Sequence, residues 1–140
     1  MIIDSPLNLL NRSVFKIHGE DCFDFLQSDL TADLSPLLKG KCISSCLLSP
    51  QGRILFDFIL YPEKNMNKKF SVLVDCDKIE KESLIKKLTM YKMRSNSQIL
   101  DMPDKAVLIC MSNNDSFKDP RHSQLPCRMI KDKDTFKKNG

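Results

Sequence analysis

A single carboxylate interrupts the most apolar stretch of the chain, and it is the residue best placed to do chemistry. The turn Ser49-Pro50-Gln51-Gly52-Arg53 leads into Ile54-Leu55-Phe56-Asp57-Phe58-Ile59-Leu60. Pro50 presets the turn and Gly52 supplies conformational freedom, so the chain reverses just before the run. Several aromatic and β-branched positions make residues 54–61 read as a buried strand. An Asp there is disfavoured unless its carboxylate has a partner or faces a cavity. A carboxylate with reduced water access can orient or proton-couple an amine. The plainer alternatives are a solvent-facing Asp on a half-buried strand and a structural hydrogen-bonder.

Six cysteines, at 22, 42, 46, 76, 110 and 127, offer the other candidate chemistry. Zinc sites use paired Cys-x-x-Cys or Cys/His spacings, and none occurs, so no metal is expected. Cys42 and Cys46 share a face of an extended segment but lie well apart along it. Cys76 follows an apolar strand and Cys110 lies within one, as small buried hydrophobes do. Without a secretory signal, a disulfide framework is not expected. His18 and His122 give no metal-ligand spacing, and His18 reads as a strand-end residue. No Ser/His/Asp or Cys/His arrangement stands out, so no catalytic residue is assigned. Pro50-Gln51-Gly52-Arg53 carries one Gly and is a hairpin turn, not a phosphate loop.

The elements that must position these residues follow from periodicity. Residues 13–18 form a strand ending at Gly19, and Asp21 caps a helix whose face is Cys22, Phe23, Phe25, Leu26 and Leu30. Pro36 and Gly40 break the chain. Residues 41–48 and 53–61 form a hairpin around 49–52. A polar loop, 62–69, precedes a strand at 70–75. Asp77 caps a helix through Lys92, with Ile79, Leu84, Ile85, Leu88 and Tyr91 on or near its inner face. Two short strands, 98–100 and 106–111, precede a polar connection at 112–123. This order predicts an α+β fold: a split β-α-β-like antiparallel or mixed sheet, with extra strands and two main helices on one side.

At 140 residues the chain has the length of one domain. Its 41% hydrophobic and 29% charged content is ordinary for a globular protein. The longest apolar stretch is too short to cross a bilayer and contains Asp57, so no membrane partner is expected. The net charge of +4 is concentrated after residue 127, where Arg128, Lys131, Lys133, Lys137 and Lys138 face Asp132 and Asp134. A solvated tail explains that mixture better than a nucleic-acid surface, which needs clustered Lys and Arg on one face. The first six residues lack the features of a secretory or organellar presequence. They suggest a cytoplasmic, bacterial protein.

Further blocks accompany the 49–60 segment: Val14-Phe15-Lys16-Ile17-His18-Gly19-Glu20-Asp21, Phe25-Leu26-Gln27, Leu30-Thr31-Ala32-Asp33, Tyr91-Lys92-Met93-Arg94, and Asp119-Pro120-Arg121 followed by Leu125 and Arg128. In order and spacing they resemble the YgfZ/GcvT folate-binding proteins, from residue 8 to about 130. The resemblance implies the N-terminal domain of that fold, part of a three-part ring around a folate pocket. It implies a role in iron–sulfur cluster assembly or repair, with tetrahydrofolate as cofactor, bound weakly by this chain alone. Asp57 matches the carboxylate that lies beside the reactive folate nitrogen in the aminomethyltransferase branch; Tyr91 and Arg94 complete the implied folate-binding set. Arg53 and Phe56 stand where the aminomethyltransferase pattern has a second Gly and a second Asp, which sets a glycine-cleavage-type fragment second. A non-enzymatic remnant acting as an interaction module is the third reading.

The Lys-Gly-Cys-Tyr-x-Gly-Gln-Glu signature of the YgfZ branch is missing, so residues 1–130 read as a truncated, incomplete folate-binding-like domain and 131–140 as a polar basic tail. Implied partners are folate, iron–sulfur client proteins or a complementing C-terminal chain. Self-association is expected through apolar surface beside the 54–61 and 42–48 strands.

Overall fold

Alternation along the strands decides how this chain is layered, because successive side chains of a strand point to opposite faces. A computed structural model describes residues 7–63, 70–92, 95–110, 116–121 and 125–133. The elements run β1 (Leu7–Asn8), β2 (Arg12–His18), α1 (Cys22–Asp29), α2 (Ser35–Leu38), β3 (Ile43–Leu48), β4 (Ile54–Pro62), β5 (Ser71–Asp77), α3 (Lys81–Tyr91), β6 (Gln98–Asp101), β7 (Lys105–Cys110) and β8 (Cys127–Asp132). One sheet has five strands in the order β3-β4-β5-β2-β6, and a second has three in the order β1-β7-β8. Every pairing within them is antiparallel.

The expected α+β class holds, and the helices cover one face of the larger sheet. Phe15, Ile17, Ile43, Leu47, Phe58, Leu60, Val72 and Val74 point to that side. They meet Cys22, Phe25 and Leu26 of α1, Leu37 of α2, and Leu84 and Leu88 of α3. Burying each such Leu or Phe contributes roughly 1.5–3 kcal/mol, so this is the larger core. The opposite face carries Cys42, Ile59 and Tyr61, with Leu73, Phe117 and Ile130 packed against them. Ile130 comes from β8, so the smaller sheet covers part of this second face.

Several local expectations are corrected. The 54–61 run is not buried throughout: Ile54, Leu55 and Asp57 are exposed, and burial begins at Phe58. The strand projects toward its hairpin tip beyond the packed layers. Asp21 occupies the N-cap position of α1, but its side chain makes no cap bond there; its Oδ2 accepts from Asn96 N–H at 2.7 Å. Asp77 does not cap α3. Its Oδ1 accepts from Ile79 N–H at 2.9 Å in a turn, and Glu80 is the N-cap. Ile79 therefore precedes the helix and is 90% exposed instead of lying on the inner face. Strands β1 and β8 and the short α2 were not foreseen. Lys131 and Asp132 lie in β8, which Lys105 secures by an ion pair to Asp132 of 2.8 Å.

Gly19 lets two distant segments touch. Its φ of +135° is a backbone conformation L side chains rarely adopt, and a Cβ there would collide with the Asn96 carbonyl oxygen. Gly19→Ala should therefore destabilise the protein by about 2 kcal/mol or more. Urea unfolding measures this; an unchanged midpoint would show that the 19–21 and 95–97 segments move apart freely.

Candidate functional site

On the second face of the large sheet, a carboxylate without any exposure organises three strands. Asp75 of β5 is 0% exposed, although it sits between Val74 and Cys76 in a strand of apolar residues. Such a group is tolerated only when its oxygens are well supplied with donors. Arg12 of β2 donates through Nε to Asp75 Oδ1 at 2.7 Å and through Nη2 to the Asp75 carbonyl at 2.8 Å. Tyr61 of β4 donates its hydroxyl to Asp75 Oδ2 at 2.8 Å. Arg128 of β8 donates Nη2 to the same oxygen at 2.8 Å and Nε to the Tyr61 oxygen at 2.9 Å.

Arg128 extends the network into the segment before β8. Its Nη1 lies 3.5 Å from Asp119 Oδ2. Arg121 grips Asp119 with both ends of its fork, Nε to Oδ1 at 2.8 Å and Nη2 to Oδ2 at 2.6 Å. Burial alone would raise the Asp119 carboxyl, but the Arg121 side chain and N–H, with the charges of Arg121 and Arg128, hold it below the ordinary value. Burial, and then the charge of Asp75, push the Tyr61 phenol well above its ordinary value, so it remains a donor. Nearby, Cys42 donates its thiol to the Lys118 carbonyl at 2.9 Å; burial first, and then the Asp119 charge, push it up to about 12.

Beside this network lies an open cleft of about 360 Å³. Ser44, Cys46, Asp57 and Ile59 of β3 and β4 line it, with Thr31 at its rim and Arg12 and Arg121 as its basic wall. Cys46 and Asp57 are direct cross-strand partners. Among the described residues, the Asp57 side chain makes no hydrogen bond or ion pair. Thr31 is held there by two bonds to Cys46: its N–H donates to the Cys46 carbonyl at 3.2 Å, and its Oγ1 accepts from Cys46 N–H at 3.1 Å. A second cleft of about 320 Å³ lies on the other side of the two arginines, lined by Leu9, Ile109, Asp119, Leu125 and Arg128. Arg12 and Arg121 border both.

Of the three site residues expected from the sequence, the cleft contains Asp57. Tyr91, at the end of α3, packs against the helix-side core, beneath the opposite face of the sheet. Strand alternation separates the two, and Tyr91 does not line the cleft. Arg94 lies outside the described residues, as does His122. Sequence reasoning missed Asp75 and Tyr61. Asp75 carried the same signal as Asp57, a carboxylate flanked on each side by apolar residues. Among the described residues, no three His, Cys, Asp or Glu side chains are grouped to hold a metal.

The chain is similar to mitochondrial iron–sulfur cluster assembly factors of the IBA57 type. It is 30% identical to the Neurospora crassa homologue over 103 residues, 71% of this chain and 24% of that protein. Against the human factor the identity is 29% over 104 residues, 69% of this chain and 29% of the relative. The Pyricularia oryzae homologue matches at 24% over 135 residues, 87% of this chain and 34% of the relative. The chain thus spans about a quarter to a third of the length of the curated relatives it matches. No protein-family model matches. Among solved structures, the glycine cleavage system aminomethyltransferase T of Bartonella henselae superposes with a TM-score of 0.62 at 18% identity, covering 72% of this chain and 27% of that one. The two share a fold. These relatives are mitochondrial proteins of fungi and human, which overturns the expectation of a bacterial cytoplasmic chain. That expectation rested on the absence of presequence features, which does not determine a compartment.

The network makes two predictions. Arg128→Leu should cost about 3–5 kcal/mol, because the buried Asp75 loses a charged partner. Adding Asp75→Asn should restore part of the loss, and equal stability of the single and double variants in urea would show that charge is not the cause. For Asp119 the folded value is depressed, so its stabilisation is complete above about pH 4 and is lost as pH falls below that. Asp119→Asn should flatten this acid limb of the stability curve. An unchanged limb would assign the acid sensitivity elsewhere.

Proposed function

We propose that this chain is the folate-facing region of an iron–sulfur cluster assembly protein, with a reduced folate seated over Asp57. The single observation that carries this reading is the convergence of three distant sequence blocks on one cleft. Thr31 comes from Leu30–Asp33, Asp57 from the strand after the Pro50–Gly52 turn, and Arg121 from Asp119–Arg121. The assembly role rests on the similarity to IBA57-type factors.

The residues fit the chemistry of the cofactor's ring end. A reduced pterin presents N–H donors, and Asp57 offers an exposed carboxylate free to accept them. Ile59 offers apolar floor, and Ser44 and Thr31 offer hydroxyls. Arg12 and Arg121 favour the anionic end of a ligand carrying carboxylates. Bound there, the folate would supply a carrier for one-carbon or reducing chemistry; Asp57 would orient its ring nitrogens. A cleft of about 360 Å³ is near the lower limit for enclosing a drug-sized ligand, and this one is open on one side. The partners in this reading are iron–sulfur proteins. An aminomethyltransferase reading is weaker, since Phe56, which stands where that pattern has its second Asp, packs against the helix-side core.

Two measurements test the proposal. Titrating the chain with tetrahydrofolate under anaerobic conditions should shift backbone NMR signals of residues 31, 44–46, 57–59 and 121, with a dissociation constant near the millimolar range, about −4 kcal/mol. Asp57→Ala should weaken that binding about tenfold or more. Shifts spread evenly over the surface, or none, would remove the folate reading. Separately, cells depleted of the protein should lose activity of iron–sulfur enzymes and regain it from the wild-type gene. Undiminished activity would remove the assembly reading and leave the folate test unaffected.

A further inference from the structure

Two cysteines far apart in sequence meet across the smaller sheet. Cys110 closes β7, Cys127 opens β8, and the two are direct cross-strand partners. Their side chains therefore share one face, where Cys110 is buried with Ala106, Leu108 and Met129 and the half-buried Cys127 packs against that cluster. Both are thiols in this structure. The backbone shows which kind of pair they form. Arg128 turns its N–H and C=O to Phe117, at 2.8 and 2.7 Å, away from β7. Its neighbour Cys127 consequently turns its own toward β7 and exchanges hydrogen bonds with Cys110. Partners of that kind have Cα atoms about 5.5 Å apart. Disulfides span roughly 4.4–6.8 Å between Cα atoms, which this spacing meets, but they need Cβ atoms about 3.5–4.5 Å apart, closer than a hydrogen-bonded pair holds them. Joining these two therefore draws the strands together locally and gives a strained, readily reduced bond.

The position gives the bond a consequence. Between Cys110, the last residue of β7, and Cys127, the first of β8, the sequence contains Phe117, Asp119 and Arg121. Arg121 lines the Asp57 cleft, Asp119 and Arg121 form the outer half of the buried network, and Phe117 packs on Tyr61. We propose that Cys110 and Cys127 are a reversible thiol–disulfide pair that ties the end of β7 to the start of β8 and so governs how firmly Asp119 is held against Arg128 and Arg121 at the cleft. The oxidant is a low-molecular-weight disulfide such as oxidised glutathione. The thiolate of Cys127, the more accessible partner, attacks one sulfur of that disulfide and releases one small thiolate. The Cys110 thiolate then displaces the second from the mixed disulfide. Two electrons pass to the small disulfide, and its two released thiolates take up the two protons. A small dithiol reverses the exchange. The proposal does not depend on the folate reading.

The test uses the whole chain, equilibrated in buffers of reduced and oxidised glutathione, quenched by alkylation and mapped by peptide mass spectrometry. The wild type should lose two of its six reactive thiols in a single step. The linked peptides should join Cys110 to Cys127. Cys110→Ala and Cys127→Ser should each abolish that loss, while Cys46→Ser should leave it intact. Oxidation should also slow tryptic cleavage after Arg121 severalfold relative to the reduced chain. Six alkylated thiols at every ratio, glutathione retained on Cys127 alone, or linkage to another cysteine would each overturn the proposal. Because the linkage is mapped in the native sequence, a variant that fails to fold does not decide the outcome.

Discussion

A fully buried carboxylate must be surrounded by donors or it will not stay buried, and Asp75 imposes that requirement on four strands at once. Its oxygens receive Arg12 from β2, Tyr61 from β4 and Arg128 from β8, while Asp75 itself belongs to β5. Strands β4, β5 and β2 lie side by side in the larger sheet, but β8 belongs to the smaller one. The Arg128 ion pair is therefore a joint between sheets as well as a contact within a core. Apolar packing of Ile130 and Phe117 on Ile59 and Tyr61 surrounds the joint, and the edge-to-face Tyr61–Phe117 pair at 5.5 Å fixes the ring whose hydroxyl bridges the charges. Hydrophobic burial supplies most of the stabilisation, and the charges fix direction. A sheet of alternating apolar residues could slide on its neighbour, but an arginine fork on a buried carboxylate cannot.

Much of this was legible in the sequence where periodicity governs. The helix faces at Phe25, Leu26, Leu84 and Leu88, the hairpin at 49–52 and the alternation of β2 were all readable from spacing. What periodicity cannot supply is the choice between equivalent signals. Asp57 and Asp75 are both carboxylates flanked on each side by apolar residues of a strand. One is exposed over a cleft and the other fully buried, and the difference comes from β8, which lies over Asp75 and stops short of Asp57. The block Asp119-Pro120-Arg121 and Arg128 was found by resemblance, yet its work as the joint between sheets depends on pairing with residues over fifty positions away. Cys110 and Cys127 were read separately for the same reason. Local patterns also misled where a residue lies just outside its element, as with Ile79, which has the helical spacing of an inner residue but precedes the first turn of α3.

The division of the large sheet into two unlike faces is what leaves room for a site. Its helix side is closed by three helices and filled mainly with apolar side chains. Its other side is covered only partly, since the smaller sheet contributes three strands and just β8 reaches the joint. The uncovered part is the cleft over β3 and β4, and its charge is set by the same joint. Arg12, Arg121 and Arg128 outnumber Asp75 and Asp119 by one positive charge. Arg128 is held in the interior, but Arg121 has 49% of its side chain exposed at the cleft wall, and there the surplus is felt. Asp57 on the floor balances it without bonding to it. A ligand entering this cleft meets a negative acceptor below and a positive donor beside it, each with water still to give up. That arrangement favours a molecule with hydrogen-bond donors at one end and an anion at the other, and it disfavours a simple anion, which Asp57 would repel. The buried network thus does more than join two sheets: by engaging Arg12 and Arg128 inward and leaving Arg121 outward, it decides which charge the cleft presents.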